Sequence, residues 1–375
     1  MTPPLPDDLR DLLALQLVPG LGPRRTAALL AHFGTAGRAR RASAAEWQEV
    51  ASIGPKLADE IAQRLHDADV DAEVARMEKA GASLLVLGRP GFPAGVASIT
   101  DPPHLLYLRG SLTDADANAV AVVGSRHCTG YGKRMATKIA GGLARAGVTV
   151  VSGLARGIDG VAHQAALEAG GRTLAVLAGG LLHLYPPEHK GLAEAVVKSG
   201  GLLSEASMDQ EPMAPLFPAR NRIISALSKV VVIVEAAEKS GALITATHAA
   251  EQGRTVLAVP GPADATTSGG CHALIRDGAV LCRGADDVLE ELHGVSAMAQ
   301  AAKAAASGQA APTGPPPGLD ETQRRLWDFL AAGTRSVDEM AQQLGIAMPQ
   351  LSTSLMMMEM KKAVRRLPGN RYERC

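Results

Sequence analysis

Apolar positions along the chain follow two different periods. Through the first eighty residues they recur at helical spacing. Leu9 to Leu17, Arg24 to His32, Ala44 to Val50 and Lys56 to Leu65 predict helices separated by Gly or Pro. Two of the breaks are alike, Val18-Pro19-Gly20-Leu21-Gly22-Pro23 and Ser52-Ile53-Gly54-Pro55, and each leads into basic residues (Arg24 and Arg25; Lys56). From Leu84 the period shortens. Leu84–Leu87 and Leu105–Leu108 are short apolar runs bounded by Gly and Pro, and both predict strands. Further strands are predicted at Ala119–Val123, Thr149–Val151, Thr173–Leu177, Leu202–Leu203, Val230–Val234 and Val256–Val259. Most gaps between them hold helical stretches such as Lys133–Arg145 and Val161–Ala169. Val230-Val231-Val232-Ile233-Val234 is apolar on both faces, as a strand covered by helices on both sides must be. The expected fold class is α/β, a doubly wound, mostly parallel sheet.

Composition then changes. Gly294 to Gly318 is rich in Ala, Pro and Gly, contains Pro315-Pro316-Pro317, and carries one charge, Lys303. It reads as a linker. Three helical patterns follow (Glu321–Ala331, Val337–Leu344, Gln350–Lys361), then an apolar-basic hairpin turning at Pro368-Gly369-Asn370. Three helices and a terminal hairpin suggest a winged helix. The expected division is a helical domain over 1–80, the α/β domain over 81–293, the linker over 294–318 and the winged helix over 319–375.

A chain of 375 residues suits two or three such units. Lys plus Arg (38) balance Asp plus Glu (38), so affinity for nucleic acid must come from local clusters rather than a globally cationic surface. The four cysteines form no C-x-x-C pair, which disfavours a zinc ribbon and a disulfide framework. Neither a basic n-region before an apolar stretch nor a run of about 20 apolar residues occurs, so the expectation is a cytoplasmic protein without membrane insertion.

Candidate chemistry gathers where the strands end. In an open α/β sheet ligands sit beyond the carboxyl ends of the strands. Here those ends read Gly124-Ser125-Arg126, Ser152-Gly153-Leu154-Ala155-Arg156-Gly157-Ile158-Asp159, Ala178-Gly179-Gly180, Ser204-Glu205, Glu235 with Ser240-Gly241, and Pro260-Gly261. Glycines there allow close backbone approach, and following helices offer amides to an anion, although tight turns alone also favour glycine. The first strand lacks G-x-G-x-x-G and the chain lacks G-x-x-x-x-G-K-[ST], so neither a dinucleotide nor the phosphate loop of ATPases is indicated, and no cofactor is expected. Arginines stand beside the glycines instead: Arg126, Arg156, Arg220 and Arg222. Phe217 beside Arg220-Asn221-Arg222 suits single-stranded nucleic acid, the ring stacking on a base and the guanidiniums holding phosphates. A core plug is the structural alternative for Phe217. Catalytic and metal readings are poorer. Ser125 has no nucleophile elbow, Asp159 and His163 suit satisfied polar groups at a helix start, and His183, His189 and His248 lack ligand spacing. Glu205 and Glu235 suit acceptors of loop or arginine hydrogen bonds.

Val122-Val123-Gly124-Ser125-Arg126, the Ser152–Asp159 string with Ala162-His163, and Phe217-Pro218-Ala219-Arg220-Asn221-Arg222-Ile223-Ile224 closely resemble the DNA-processing protein A (DprA, Smf) family. So do Val234-Glu235-Ala236, Ser240-Gly241-Ala242-Leu243-Ile244-Thr245, Val259-Pro260-Gly261, Tyr185-Pro186-Pro187 and Ser204-Glu205, in order from about Leu84 to Leu292. One departure is His272, where the family usually shows Asn. The resemblance implies an extended Rossmann domain that dimerises and binds single-stranded DNA at the strand carboxyl ends. It also implies a non-enzymatic protein of natural transformation that coats incoming strands and loads the RecA recombinase, with a single-strand-binding protein as a further partner. On this resemblance Gly124, Ser125, Arg126, Phe217, Arg220 and Asn221 are groove residues. The strand-end reading adds Gly153, Arg156, Gly157, Arg222, Ser240 and Gly241. The segment Leu274 to Leu281 resembles the dimer element, with Leu274, Ile275 and Leu281 as its apolar contacts.

The terminal modules are more open. The two Gly-Pro breaks are similar to helix-hairpin-helix (SAM-like) elements that hold duplex phosphates weakly, or they serve a purely structural cap. The C-terminal hairpin collects Lys361, Lys362, Arg365, Arg366, Arg371 and Arg374 against Glu373, which favours an anionic partner. Met356-Met357-Met358 with Met360 suits packing against a protein instead. A rival function is cleavage of nucleotide N-glycosidic bonds on the same Rossmann variant, as in phosphoribohydrolases carrying P-G-G-x-G-T-x-x-E. The nearest strings here, Ala178-Gly179-Gly180-Leu181 and Pro260-Gly261-Pro262, lack the Thr and the Glu.

Overall fold

The computed structural model describes residues 5–306, 319–360, 363–367 and 371–374. Two compact units divide near residue 296. The first opens with six helices, α1 (Asp7–Gln16), α2 (Pro23–Phe33), α3 (Ala36–Arg41), α4 (Ala44–Trp47), α5 (Pro55–His66) and α6 (Val70–Ala80). Two short breaks separate pairs of them. At each, a glycine N-cap (Gly22, Gly54) precedes a proline at the first helical position, where its missing N–H costs nothing.

The strands are β1 (Ala82–Val86), β2 (Leu105–Gly110), β3 (Val120–Val123), β4 (Val150–Ser152), β5 (Thr173–Leu177), β6 (Gly201–Ser204), β7 (Val230–Ile233), β8 (Thr255–Ala258) and β9 (Val280–Leu281). They form one sheet in the order β1-β2-β6-β5-β4-β3-β7-β8-β9. From β6 to β9 every pairing is parallel, and β1 and β2 pair antiparallel at one edge. The doubly wound sheet expected from the strand–helix alternation is therefore present. The short α7 (Ala94–Ala97) lies in the β1–β2 connection, and α8 (Gly130–Arg145), α9 (Ile158–Glu168), α10 (Lys190–Ser199), α11 (Leu216–Ala226), α12 (Ala242–Glu251), α13 (Gly269–Arg276) and α14 (Ala285–Ala306) follow later strands.

The period of two decides which face each strand residue feeds. Val120, Val122, Val230 and Val232 pack with Ile139, Leu143 and Ile158 of α8 and α9. Their neighbours Ala121, Val123, Val231 and Ile233 pack on the opposite face with Ile223 and Ile224 of α11 and with α12. The N-terminal helices have no separate core: Leu13, Leu29, Trp47 and Ile61 cluster with Leu105, Tyr107, Leu177 and Met208 around the sheet. Glu73 of α6, buried, accepts from the Met208 amide at 2.7 Å, and Gln16 donates to the Glu205 carbonyl at 2.6 Å. The change near residue 80 is thus one of secondary structure rather than of core.

The linker expectation needs correction at its start. α14 runs through Ala306, because the stretch is dominated by Ala, the strongest helix former, and holds no Pro before residue 307. Residues 307–318, with the proline run, lie outside the described residues.

The second unit packs α15 (Glu321–Phe329), α16 (Val337–Leu344) and α17 (Met348–Met360) against a three-stranded sheet of β10 (Arg335–Ser336), β12 (Arg371–Arg374) and β11 (Val364–Leu367), in that order. Leu326, Trp327, Met340, Leu351, Leu355, Met358 and Tyr372 form its core. This is a winged helix. Capping boxes at Asp320/Gln323 and Ser336/Glu339 fix two helix starts. Lys361, Lys362 and the Pro368-Gly369-Asn370 turn lie outside the described residues.

Candidate nucleic-acid interface

The chain runs outward from β3 through β4 and β5 to β6, then returns to place β7 against the other side of β3. The helices after β3 and β7 consequently cover opposite faces, and a cleft must open at the carboxyl ends of these two strands. A cavity of about 720 Å³ lies there. Gly124, Ser125, Arg126, Phe217, Arg220, Asn221, Ser240 and Gly241, eight of the residues expected, line it together.

Arg126 is exposed and makes no ion pair among the described residues; its guanidinium lies 4.5 Å from the centre of the Phe217 ring. Phe217 is half-buried, not a core plug. Asn221 donates to the Gly241 carbonyl at 3.3 Å, tying the middle of α11 to the start of α12. No atom lies within 4 Å of where a side chain on Gly241 would stand, so backbone there is open to a ligand.

Several expected residues have other duties. Arg220 is only 6% exposed. Its Nη1 donates to the carbonyls of Gly153, at 2.7 Å, and Val176, and its Nε donates to Asn221 Oδ1 at 3.2 Å. Burial pushes its pKa down to about 10, against the opposing pull of the buried Asp159 carboxylate. It is the cleft floor rather than a free phosphate fork. Gly153 is glycine because the Arg220 guanidinium occupies the space of a Cβ. Gly157, at φ +74°, likewise abuts the carbonyl of Ser125, and Gly124 abuts Ile158 and the Glu235 carbonyl. These three glycines serve close packing between strand-end loops, and so do Gly179 and Gly180.

Arg222 is corrected more strongly. Residues i and i+2 of a helix point about 200° apart, so Arg220 and Arg222 of α11 cannot face one groove. Arg222, 5% exposed, instead donates to both oxygens of Glu205 at 2.6 and 2.7 Å on the side facing the first N-terminal break. Arg156 is exposed but outside the cleft lining: it makes a bidentate pair with Glu188 at 2.6 and 3.1 Å.

The helix starts are less available to anions than the strand ends suggested. Glu235, buried, accepts from the Thr129 amide at 3.1 Å and hydroxyl at 2.6 Å and so occupies the start of α8. The Ile158 amide of α9 is bonded to the Ser125 carbonyl. Below the cleft, Asp159 accepts from the Gly153 amide at 3.1 Å, and burial raises its pKa. His163, buried against Thr173 Oγ1 at 2.7 Å, has its pKa lowered by burial to about 3 and is a neutral structural group.

Lys239 and Tyr185 are among the lining residues that the sequence did not assign to the site. Lys239 is exposed beside Ser240 and makes no hydrogen bond or ion pair among the described residues; its position next to the Ser-Gly strand end was the available signal. Tyr185 comes from the loop after β5 and stands edge-on to Phe217, ring centres 5.9 Å apart. The string Tyr185-Pro186-Pro187 entered the family resemblance, but nothing local to it placed the ring beside Phe217. Among the described residues no cluster of three His, Cys, Asp or Glu could hold a metal.

A cleft at the switch point of a doubly wound sheet, lined by unpaired cations and an accessible ring, together with a winged helix, defines a class. Residues 83–293 match the family model for DNA recombination-mediator protein A and residues 310–370 match the DprA winged helix domain, so the chain belongs to the DprA/Smf family. Protein Smf of Synechocystis is 31% identical over 96% of this chain and 98% of its own length. DNA processing protein DprA of Bacillus subtilis is 42% identical over 58% of this chain and 74% of its own. Among solved structures, DprA of Streptococcus pneumoniae superposes with a TM-score of 0.67 at 33% identity, covering 75% of this chain and 97% of that one. The Helicobacter pylori DprA structure, which describes a single-stranded DNA binding mode, gives 0.51 at 30% identity, covering 57% of this chain and 96% of that one.

Proposed function

We propose that the cleft binds single-stranded DNA, and that the protein protects such strands and loads a RecA-type recombinase on them in the cytoplasm during natural transformation and recombination. The observation that carries the binding reading is the Arg126–Phe217 pair, an unpaired guanidinium stacked on an accessible ring with Lys239 in the same cleft. Rings take bases of any identity, and cations take the repeating phosphates. Recombinase loading rests on the family resemblance. The glycosidase alternative lacks support at the site: among the described residues the one carboxylate lining the cleft, Asp159, is buried and hydrogen-bonded to the Gly153 amide. Anisotropy titration of labelled single-stranded and duplex oligonucleotides at several salt concentrations tests the function. Single strands should bind more tightly, with a slope of roughly −0.7 in log affinity per phosphate neutralised. Equal binding of both forms would move the site elsewhere.

Self-association belongs to this proposal. β9 is an edge strand, and Leu281 on it is 43% exposed, whereas Leu274 and Ile275 of α13 are half-buried against the protein's own core. Leu281→Glu is therefore the clean test. It places an unpaired charge in the proposed interface, at a cost of several kcal/mol, and should yield folded monomers by light scattering. Unchanged mass with a dimeric wild type would put the interface elsewhere. The N-terminal breaks are proposed to touch duplex DNA weakly. The winged helix, whose Met348, Met356 and Met357 are exposed while Arg365 pairs with Glu373 and Arg374 stacks on Trp327, suits a protein partner such as a recombinase or single-strand-binding protein.

A further inference from the structure

Arg156 and Tyr185 repeat, a few ångströms along, the arrangement of Arg126 and Phe217. The Arg156 guanidinium lies 5.4 Å from the centre of the Tyr185 ring, as that of Arg126 lies 4.5 Å from Phe217, and the two rings meet edge to face at 5.9 Å. Tyr185 is 38% exposed and lines the cleft. The two pairs differ in one respect. Arg126 makes no ion pair, whereas Arg156 is held by both oxygens of Glu188 and also donates to the Tyr185 hydroxyl at 3.1 Å.

We infer that Arg156 and Tyr185 form a second nucleotide subsite of the same strand, latched by Glu188. The inference rests on the single-stranded DNA reading of the cleft. A carboxylate presents two oxygens to a guanidinium fork with the spacing a phosphate uses, so Glu188 stands where a backbone phosphate would. Both partners of the ion pair are exposed, side chains 45% and 53%, so water and salt screen it and a phosphodiester competes with it directly. Release of Arg156 onto a phosphate frees the Tyr185 hydroxyl, and the ring, already 38% exposed, is open to a base. The two rings are 73° apart, so bases on Phe217 and Tyr185 cannot remain stacked on each other. The strand must unstack at that step, which favours thymine runs over adenine runs.

The test is titration of oligo(dT) and oligo(dA) against wild type, Glu188→Gln, Glu188→Gln/Arg156→Ala, Glu188→Gln/Tyr185→Ala and, as a charge control, Glu211→Gln, an exposed carboxylate beside the cleft residue Pro212. Opening the latch should tighten oligo(dT) binding roughly two- to fivefold, the worth of an exposed ion pair, and steepen the salt slope by about 0.7, one more phosphate neutralised. Either second substitution should remove the gain, Arg156→Ala returning the slope to its wild-type value. Glu211→Gln should leave the slope unchanged. The inference is overturned if Glu188→Gln binds no better than wild type, or if Glu211→Gln gives the same gain. It is also overturned if the gain survives loss of Tyr185 or Arg156. None of these outcomes touches the binding reading itself, which stands or falls with Arg126.

Discussion

Reversing the charge at Arg126 should cost the protein most of its affinity for single-stranded DNA. Arg126→Glu removes one phosphate contact and sets an anion against its neighbours, and a lost charged contact of this kind is worth about 1.5–3 kcal/mol, roughly ten- to 150-fold in affinity. The salt slope should fall in magnitude by at least about 0.7. Phe217→Ala should behave otherwise, losing about 1–3 kcal/mol of stacking while its slope stays near wild type. The contrast separates charge from stacking within one pair whose members touch. Circular dichroism establishes that each variant is folded. A folded Arg126→Glu protein with wild-type affinity and slope would sink the assignment of the cleft.

Arg220→Ala should act on the fold first. Its guanidinium joins β4 to β5 through the Gly153 and Val176 carbonyls and faces the buried Asp159. Deleting it strands a buried carboxylate and two carbonyls, at an expected cost of about 3–5 kcal/mol in urea unfolding. Affinity should fall as well, because the cleft floor goes with it. A variant of wild-type stability that loses binding would return Arg220 to the role of a phosphate ligand. The same network carries an acid response. His163 has a folded pKa near 3, below its ordinary 6.5, so the unfolded chain takes up the proton first. Stability from this group is complete above about pH 6.5 and is lost as pH falls toward 3, at up to about 1.4 kcal/mol per pH unit. His163→Gln should flatten that part of the stability profile by the same amount.

Where sequence reading succeeded, the signal was local. Eight of the strands, the helices between them and the three helices of the winged unit follow from period and punctuation, which neighbouring residues fix among themselves. β9 was not foreseen, because Val280-Leu281 reads as part of the apolar segment Leu274 to Leu281 rather than as a strand. The carboxyl edge was legible too, since the strand order of a doubly wound sheet leaves one place for a ligand. Glu205 and Glu235 as hydrogen-bond acceptors were also legible from their positions at strand ends. The opposed directions of Arg220 and Arg222 follow from α11 reaching back to Leu216, whereas the apolar pattern marks a helix only from about Ile223.

Which arginines stay free did not lie within reach. Arg126, Arg156, Arg220 and Arg222 look equivalent beside their glycines, yet one is unpaired, one is latched by Glu188 and two are buried. The partners that decide this come from far along the chain: Glu188 is 32 residues from Arg156, and Gly153 is 67 from Arg220. The sequence by itself determined the architecture, the edge that carries the cleft and the kinds of side chain gathered there. Only the tertiary structure decided which guanidiniums meet carbonyls and carboxylates inside the protein and which remain for a ligand. A guanidinium's exposure depends on segments that local pattern does not relate, and burial makes those contacts obligatory.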